Sequence, residues 1–207
     1  MSHLKRGACA LLAIVATASM QVASADIINN SQHPWLTTNG STHTLILTAG
    51  DVGFVDGFDT SSIDISGGYV AHMYLNDSAL VRLTSGHISH LTLNESTVAT
   101  VEGGDVSHLT ANAAARVTVA GGVISFLNVY GNSTAAILGA PTFSWLVVEP
   151  TSHVDIYVTD AVFMNGRLTG TWLDGTPFDF GILIGSYGAP PTSPAALPSN
   201  ITVHSPN

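Results

Sequence analysis

Gly86–Gly103 reads GHISHLTLNESTVATVEG, and the next eighteen residues, Gly104–Gly121, read GDVSHLTANAAARVTVAG. Laid one over the other, the two stretches share glycine, an aliphatic residue, Ser-His-Leu-Thr and asparagine at matching places. Extending the count both ways puts glycine at Gly50, Gly68, Gly86, Gly104 and Gly122. Two places later comes an apolar column of Val52, Val70, Ile88, Val106 and Ile124. Four more columns keep the same phase. The first is Met73, Leu91, Leu109, Leu127 and Leu146, and the second is Leu75, Leu93, Ala111, Val129 and Val148. The third is Val81, Ala99, Val117 and Ala136, and the last is Leu83, Val101, Val119 and Leu138. Keeping the later members in phase needs a one-residue insertion, which this alignment places near Gly131, with Pro141 and Phe143 then taking the glycine and apolar slots.

Within each unit apolar residues alternate with polar ones, as Leu91-Thr92-Leu93 and Ala99-Thr100-Val101 do, and turn residues separate the short runs. Alternation of period two with β-branched residues and glycine describes strands and excludes helix. One such unit cannot bury its own inner face, so copies must stack. The expected fold is therefore all-β: a single-domain parallel β-helix (β-solenoid) of about 18 residues per coil. The hexapeptide periodicity of a left-handed β-helix is missing, because Ile88, Asn94 and Thr100 are not equivalent, so a right-handed one is expected. Six coils from residue 50 to about 160 would make a core roughly 30 Å long at one strand spacing per coil. Gly68, Gly86, Gly104 and Gly122 suit corners with positive φ. Asn76, Asn94 and Asn112 fall in one column, where their amides could bond along the rod. The sequons at Asn76, Asn94 and Asn132 are accordingly read as turns.

Residues 1–25 read as a secretory signal: Lys5 and Arg6, an apolar run from Ala8 to about Val15, and the small-x-small site Ala23-Ser24-Ala25. The run is too short to span a membrane, and Cys9 lies too near the start for a lipid-anchoring cysteine. A mature chain from Asp26 would keep three arginines against fourteen acids, with no lysine and no cysteine, a formal charge of −11. That balance argues against a nucleic-acid partner, since several phosphates could not be neutralised. It also removes disulfides and thiolate metal sites from consideration. Residues 26–49 are expected to cap the N-terminal end. Residues 161–207 should supply closing strands and a Pro-rich tail, with Ile201-Thr202-Val203 returning as the last strand.

Three groups of residues could carry chemistry. His72, His90 and His108 share one slot in three successive coils and could share a metal ion, but Phe126 and Trp145 continue the slot, which favours a corner column for flat rings. Asp51, Asp56, Asp59 and Asp64, with Glu102 and Asp105, could form a carboxylate site beside Arg82 or Arg116. The two arginines are out of phase and form no clamp, and solvated surface acids are the simpler reading. Thr92 with Thr110, and Thr100 with Thr118, are threonine columns too short for an ice-binding face, the second being flanked by Arg82 and Ile137.

The Gly-Gly-x-Val/Ile-Ser-x-Leu-x-Leu-Asn repeat, the close at Leu168–Phe178 and the segment Leu197–Val203 resemble secreted bacterial β-helix repeat proteins, including those with exosortase-type (PEP-CTERM) sorting tails. The tail itself is absent from this sequence. The repeat is also similar to passenger regions of surface adhesins. The resemblance implies a secreted or cell-surface scaffold or adhesive role and brings no catalytic residue. Together these readings give the expectation of a non-enzymatic extracellular structural or interaction protein without a cofactor or a mature membrane span. Its partner would be a glycan, a matrix or other copies of itself. The alternatives are a small polysaccharide-active lyase or hydrolase and a metal-binding histidine column.

Overall fold

The computed structural model describes residues 24–28, 32–40 and 43–206, so the leader up to residue 23 lies outside the described residues. Among the described residues there are sixteen strands and no helix. The first turns contain β1 (Ser24–Ile28), β2 (Gln32–Thr38), β3 (His43–Leu47), β4 (Asp51–Gly57), β5 (Ser62–Leu75) and β6 (Leu80–Leu93). The middle is built from β7 (Val98–Val101), β8 (Asp105–Ala111), β9 (Arg116–Val119), β10 (Val123–Val129), β11 (Thr134–Ile137) and β12 (Thr142–Val148). The far end consists of β13 (His153–Met164), β14 (Arg167–Trp172), β15 (Pro177–Ile184) and β16 (Ile201–His204).

Parallel pairing at a spacing of 18 residues sets the architecture. Ile88 stands over Val70 and under Val106, and Val101 lies between Leu83 and Val119. Two runs of strand are linked in each coil by a tight turn such as Asn94–Thr97 and by a glycine corner such as Glu102–Gly104. The longer run bends at a seryl position: Ser107 and His108 both face outward, while Val106, Leu109 and Ala111 face in. The bore is narrow and filled by small and medium side chains, including Ala99, Val101, Val106, Leu109, Ala111 and Ala115, all buried. Burial of this kind contributes about 25 cal/mol per Å² of apolar surface, and only stacking removes the inner face from water.

The glycine corners exist for two reasons. Gly68, Gly86, Gly104 and Gly122 all have positive φ, between 76° and 96°. In addition, a Cβ on Gly104 would lie 2.7 Å from the Gly86 carbonyl oxygen in the coil before. A second left-handed column occupies the opposite turn at Asp59, Asp77, Glu95, Ala113 and Gly131. There the carboxylate of one coil accepts the backbone N–H of the coil before: Asp77 from Asp59, and Glu95 from Asp77. Those bonds offset the strain of a non-glycine residue at positive φ.

Two features differ from the sequence expectation. The insertion is not near Gly131. Ala135 pairs with Val117 and Ile137 with Val119 at the unbroken spacing, whereas Thr142 pairs with Val123, so the extra residue falls between Leu138 and Thr142. Ala135 and Ile137 are therefore the core residues, Ala136 stands outside beside Thr118, and Leu138 is 43% exposed. The N-terminal segment also adds to the stack: β2 pairs in parallel with β4 and β3 with β5, giving about seven turns rather than six.

At the other end the chain leaves the parallel pattern. The turn Asn165-Gly166, both at positive φ, folds β13 back into an antiparallel hairpin with β14, as Asn-Gly turns do. β15 then returns parallel to β12, and Trp172, Phe178 and Phe180 close the bore. β16 pairs in parallel with β13.

Leu91→Asp would place an unpaired charge in a dry column and should leave no cooperatively folded protein by circular dichroism. Gly104→Val should lower stability by about 2 kcal/mol or more in urea unfolding. Thr92→Val, on the outer face, should stay within about 0.5 kcal/mol of wild type. Equal values for the last two variants would contradict the corner assignment.

Candidate functional site

The histidine column lies on the outer face, at the first outward position after the bend. His72, His90 and His108 stack with ring centroids 4.8 and 5.0 Å apart and planes within 18° of parallel. The stack extends through Phe54 below and Phe126 above, at 5.0 and 4.9 Å, and Trp35 covers Phe54. Trp145 occupies the next register position and lies over Gly181, where a Cβ would come 2.1 Å from the indole. The spacing of the rings is the spacing of the strands.

Stacking turns the three imidazoles face to face. Their nitrogen lone pairs lie in the ring planes and run parallel, instead of meeting at one point as metal ligands do. Among the described residues no group of three or more His, Cys, Asp or Glu side chains is arranged to hold a metal ion. Burial, and after it the neighbouring His90, lower the pKa of His108, because a second positive charge in the stack is costly.

The carboxylates are dispersed. Asp51, Asp56 and Asp64 enter three separate columns, under Tyr69, Tyr74 and Arg82 respectively, and Asp59 sits in the turn. Glu102 receives both Arg82 Nε (3.0 Å) and Nη2 (2.6 Å), a bidentate pair exposed at a corner. Asp105 continues the column of Tyr69 and His87. Arg116 stands between Val98 and Thr134 on the other face. The threonine columns keep their expected neighbours, except that Ala136 rather than Ile137 follows Thr118. The asparagine column forms a ladder: Asn94 Nδ2 donates to Asn76 Oδ1 and Asn112 Nδ2 to Asn94 Oδ1, both at 3.0 Å.

One cluster was not visible in the sequence. His153 and His204 both meet Asp155 Oδ1 through Nε2, at 3.2 and 2.7 Å, and His204 stacks on Tyr157 with centroids 4.5 Å apart. The cluster fastens β16 to the face of β13. Its hydrogen bonds, with His204 the larger contributor, hold the Asp155 carboxyl below its ordinary pKa. His153 and His204 lie 51 positions apart, and only the return of β16 brings them together.

Among the described residues a shallow hollow beside His33, Pro34 and Asp51 lies at the N-terminal end, and two others lie toward the C-terminal end. One, of about 380 Å³, lies at the closing hairpin, lined by Phe143, Phe178, Asp174 and Asp179 among others. Its acids are engaged, Asp174 by the Thr176 amide and hydroxyl and Asp179 by Arg167. The other, of about 440 Å³, lies where the asparagine ladder ends, beneath Tyr187.

Fold and columns together define a parallel β-solenoid of about seven turns with aromatic, asparagine and carboxylate ladders on its outside. Comparison with protein-family models, with curated proteins and with solved structures finds no match.

Three measurements follow. The lowered pKa of His108 means that its contribution is fully present above the ordinary value of about 6.5 and is lost as pH falls through the folded value. Thermal stability should therefore drop as pH falls below about 6.5, and His108→Phe should flatten that slope. Zinc titrated calorimetrically into wild type and His90→Ala should give only heats of dilution, and saturable binding lost in His90→Ala would instead establish a metal role. At lower pH the same sign holds for Asp155, whose contribution is present above about pH 4 and lost below it. Asp155→Asn should therefore leave β16 amides faster to exchange at neutral pH.

Proposed function

We propose that the protein is a non-enzymatic, exported structural or interaction protein whose rod presents side-chain columns to an extracellular partner. The observation that carries this reading is the disposition of the acids: Asp51, Asp56 and Asp64 stand in three separate columns, and others are held by neighbouring donors. Asp77 and Glu95 hold turn amides, Glu102 holds Arg82, Asp155 holds two histidines, Asp174 holds Thr176 and Asp179 holds Arg167. Carboxylates committed to such bonds stabilise the scaffold and do not form the acid and base pair that cleavage of a sugar chain requires.

The outer face supports a binding role. Trp35, Phe54, Tyr69 and Tyr74 are exposed near the N-terminal end, beside hydroxyl and amide columns that include Thr92, Thr110 and Asn128. Rings flanked by hydrogen-bonding side chains suit a hydroxyl-rich partner such as a glycan, with an apolar face and a polar rim. The leader motif at residues 1–25 supports export, and the resemblance to secreted repeat proteins points to the cell surface or its surroundings.

A glycan array combined with a polysaccharide turnover panel tests the reading. Binding without turnover is expected, weakened several-fold by Trp35→Ala. Release of products from any polysaccharide would overturn it.

A further inference from the structure

At the 440 Å³ hollow two outer columns fail together. The asparagine ladder passes from Asn76 to Asn94 to Asn112, and its next member is Tyr130, whose backbone N–H keeps the column by bonding the Ala111 carbonyl. A tyrosine has no amide to donate, so Asn112 Oδ1 ends without a hydrogen-bond partner among the described residues. In the adjoining left-handed column the acids of Asp59, Asp77 and Glu95 give way to Ala113 and Gly131. Loss of those side chains opens the hollow, which falls in the size range of small-molecule sites.

What lines it has a definite chemical character. Tyr187, on the loop after β15, is 74% exposed and stands edge-on to Tyr130, with centroids 5.7 Å apart and planes at 84°. Glu149, next in the column after Tyr130, accepts the Gly131 N–H through one oxygen and leaves the other available. Burial, then the negative charge of Glu149, raises the pKa of Tyr130, so its phenol stays neutral and able to donate. The available groups are thus two electron-rich rings at right angles, a carboxylate and an amide oxygen. Arginine and lysine are absent from the lining. Ring faces and acceptors of this kind attract a cation and repel an anion.

We propose that Tyr130, Tyr187, Glu149 and Asn112 form a binding site for a small organic ammonium group, of the choline or methylated-amine type. An ammonium set in the corner between the rings gains from their electron-rich faces, and Glu149 supplies the balancing charge. A hydroxyl or N–H carried by the ligand would donate to Asn112 Oδ1. The inference rests on the interaction role proposed above and assigns it one ligand class at one place. The group could be borne by a lipid headgroup, a decorated glycan or a free metabolite, and the chemistry recognised is the same.

The test titrates choline and its uncharged isostere 3,3-dimethylbutan-1-ol into the mature chain, followed by calorimetry and tyrosine fluorescence. Choline should bind saturably with a Kd of about 1 mM or below. The isostere should bind at least tenfold more weakly. Tyr187→Ala, an exposed loop change that leaves the core intact, should weaken choline by roughly 3- to 30-fold. Glu149→Gln should weaken it and reduce its salt dependence. Phosphocholine-bearing vesicles and a choline-decorated glycan then separate the sources. Equal binding of choline and the isostere, or no choline binding by a folded protein, overturns the proposal, and neither result touches the outcome of the glycan array.

Discussion

Everything in this molecule depends on parallel backbones lying in register about 4.8 Å apart, coil upon coil. That constraint makes each position in a coil its own neighbour above and below. A side chain must therefore tolerate a near copy of itself at van der Waals distance. Aliphatic residues do so in the bore, asparagine through Nδ2 to Oδ1 bonds, and flat rings by stacking. Among the acids stacked in the turns, Asp77 and Glu95 each hold the turn amide of the coil before. The histidine column obeys the same rule, its three rings stacking face to face at the strand spacing.

Ends and interruptions are where this rule relaxes, and they hold the features with chemical individuality. The closing hairpin brings Trp172, Phe178 and Phe180 across the bore, protecting the last parallel edge. The return of β16 creates the His153–Asp155–His204 contact. The loop after β15 carries Tyr187 over the broken asparagine ladder. A regular rod offers a partner repeated stripes, whereas a broken column offers a shaped hollow. The two proposals made above divide along that line.

Much of the scaffold was legible because its cause lies within eighteen residues. Glycine corners, the asparagine ladder and the inward columns all follow from equivalence between neighbouring coils. The insertion was misplaced for a physical reason: Ala135-Ala136-Ile137-Leu138 presents apolar residues in both phases of the alternation, so period two cannot choose between them. The backbone chooses, and Leu138 is left outside. The seventh turn was missed because β2 joins β4 at a 19-residue spacing, His33 opposite Val52, before the glycine column begins. Acids at positive φ carry no local signature, since their stabilising contact comes from the next coil. The His153, Asp155 and His204 cluster and the Tyr130 and Tyr187 corner depend on closures of 51 and 57 residues, beyond any repeat count.

In-register stacking is measured most directly by spin-label distances along one outer column. A chain beginning at Asp26 has no cysteine, so pairs can be introduced at Thr92 with Thr110, Thr92 with Asn128, and Thr37 with Asn128, which share a single register. Stacking predicts backbone separations that grow by about 4.8 Å per coil, reaching roughly 24 Å over the five steps from Thr37 to Asn128. Separations that do not rise in proportion to the number of coils would contradict the solenoid.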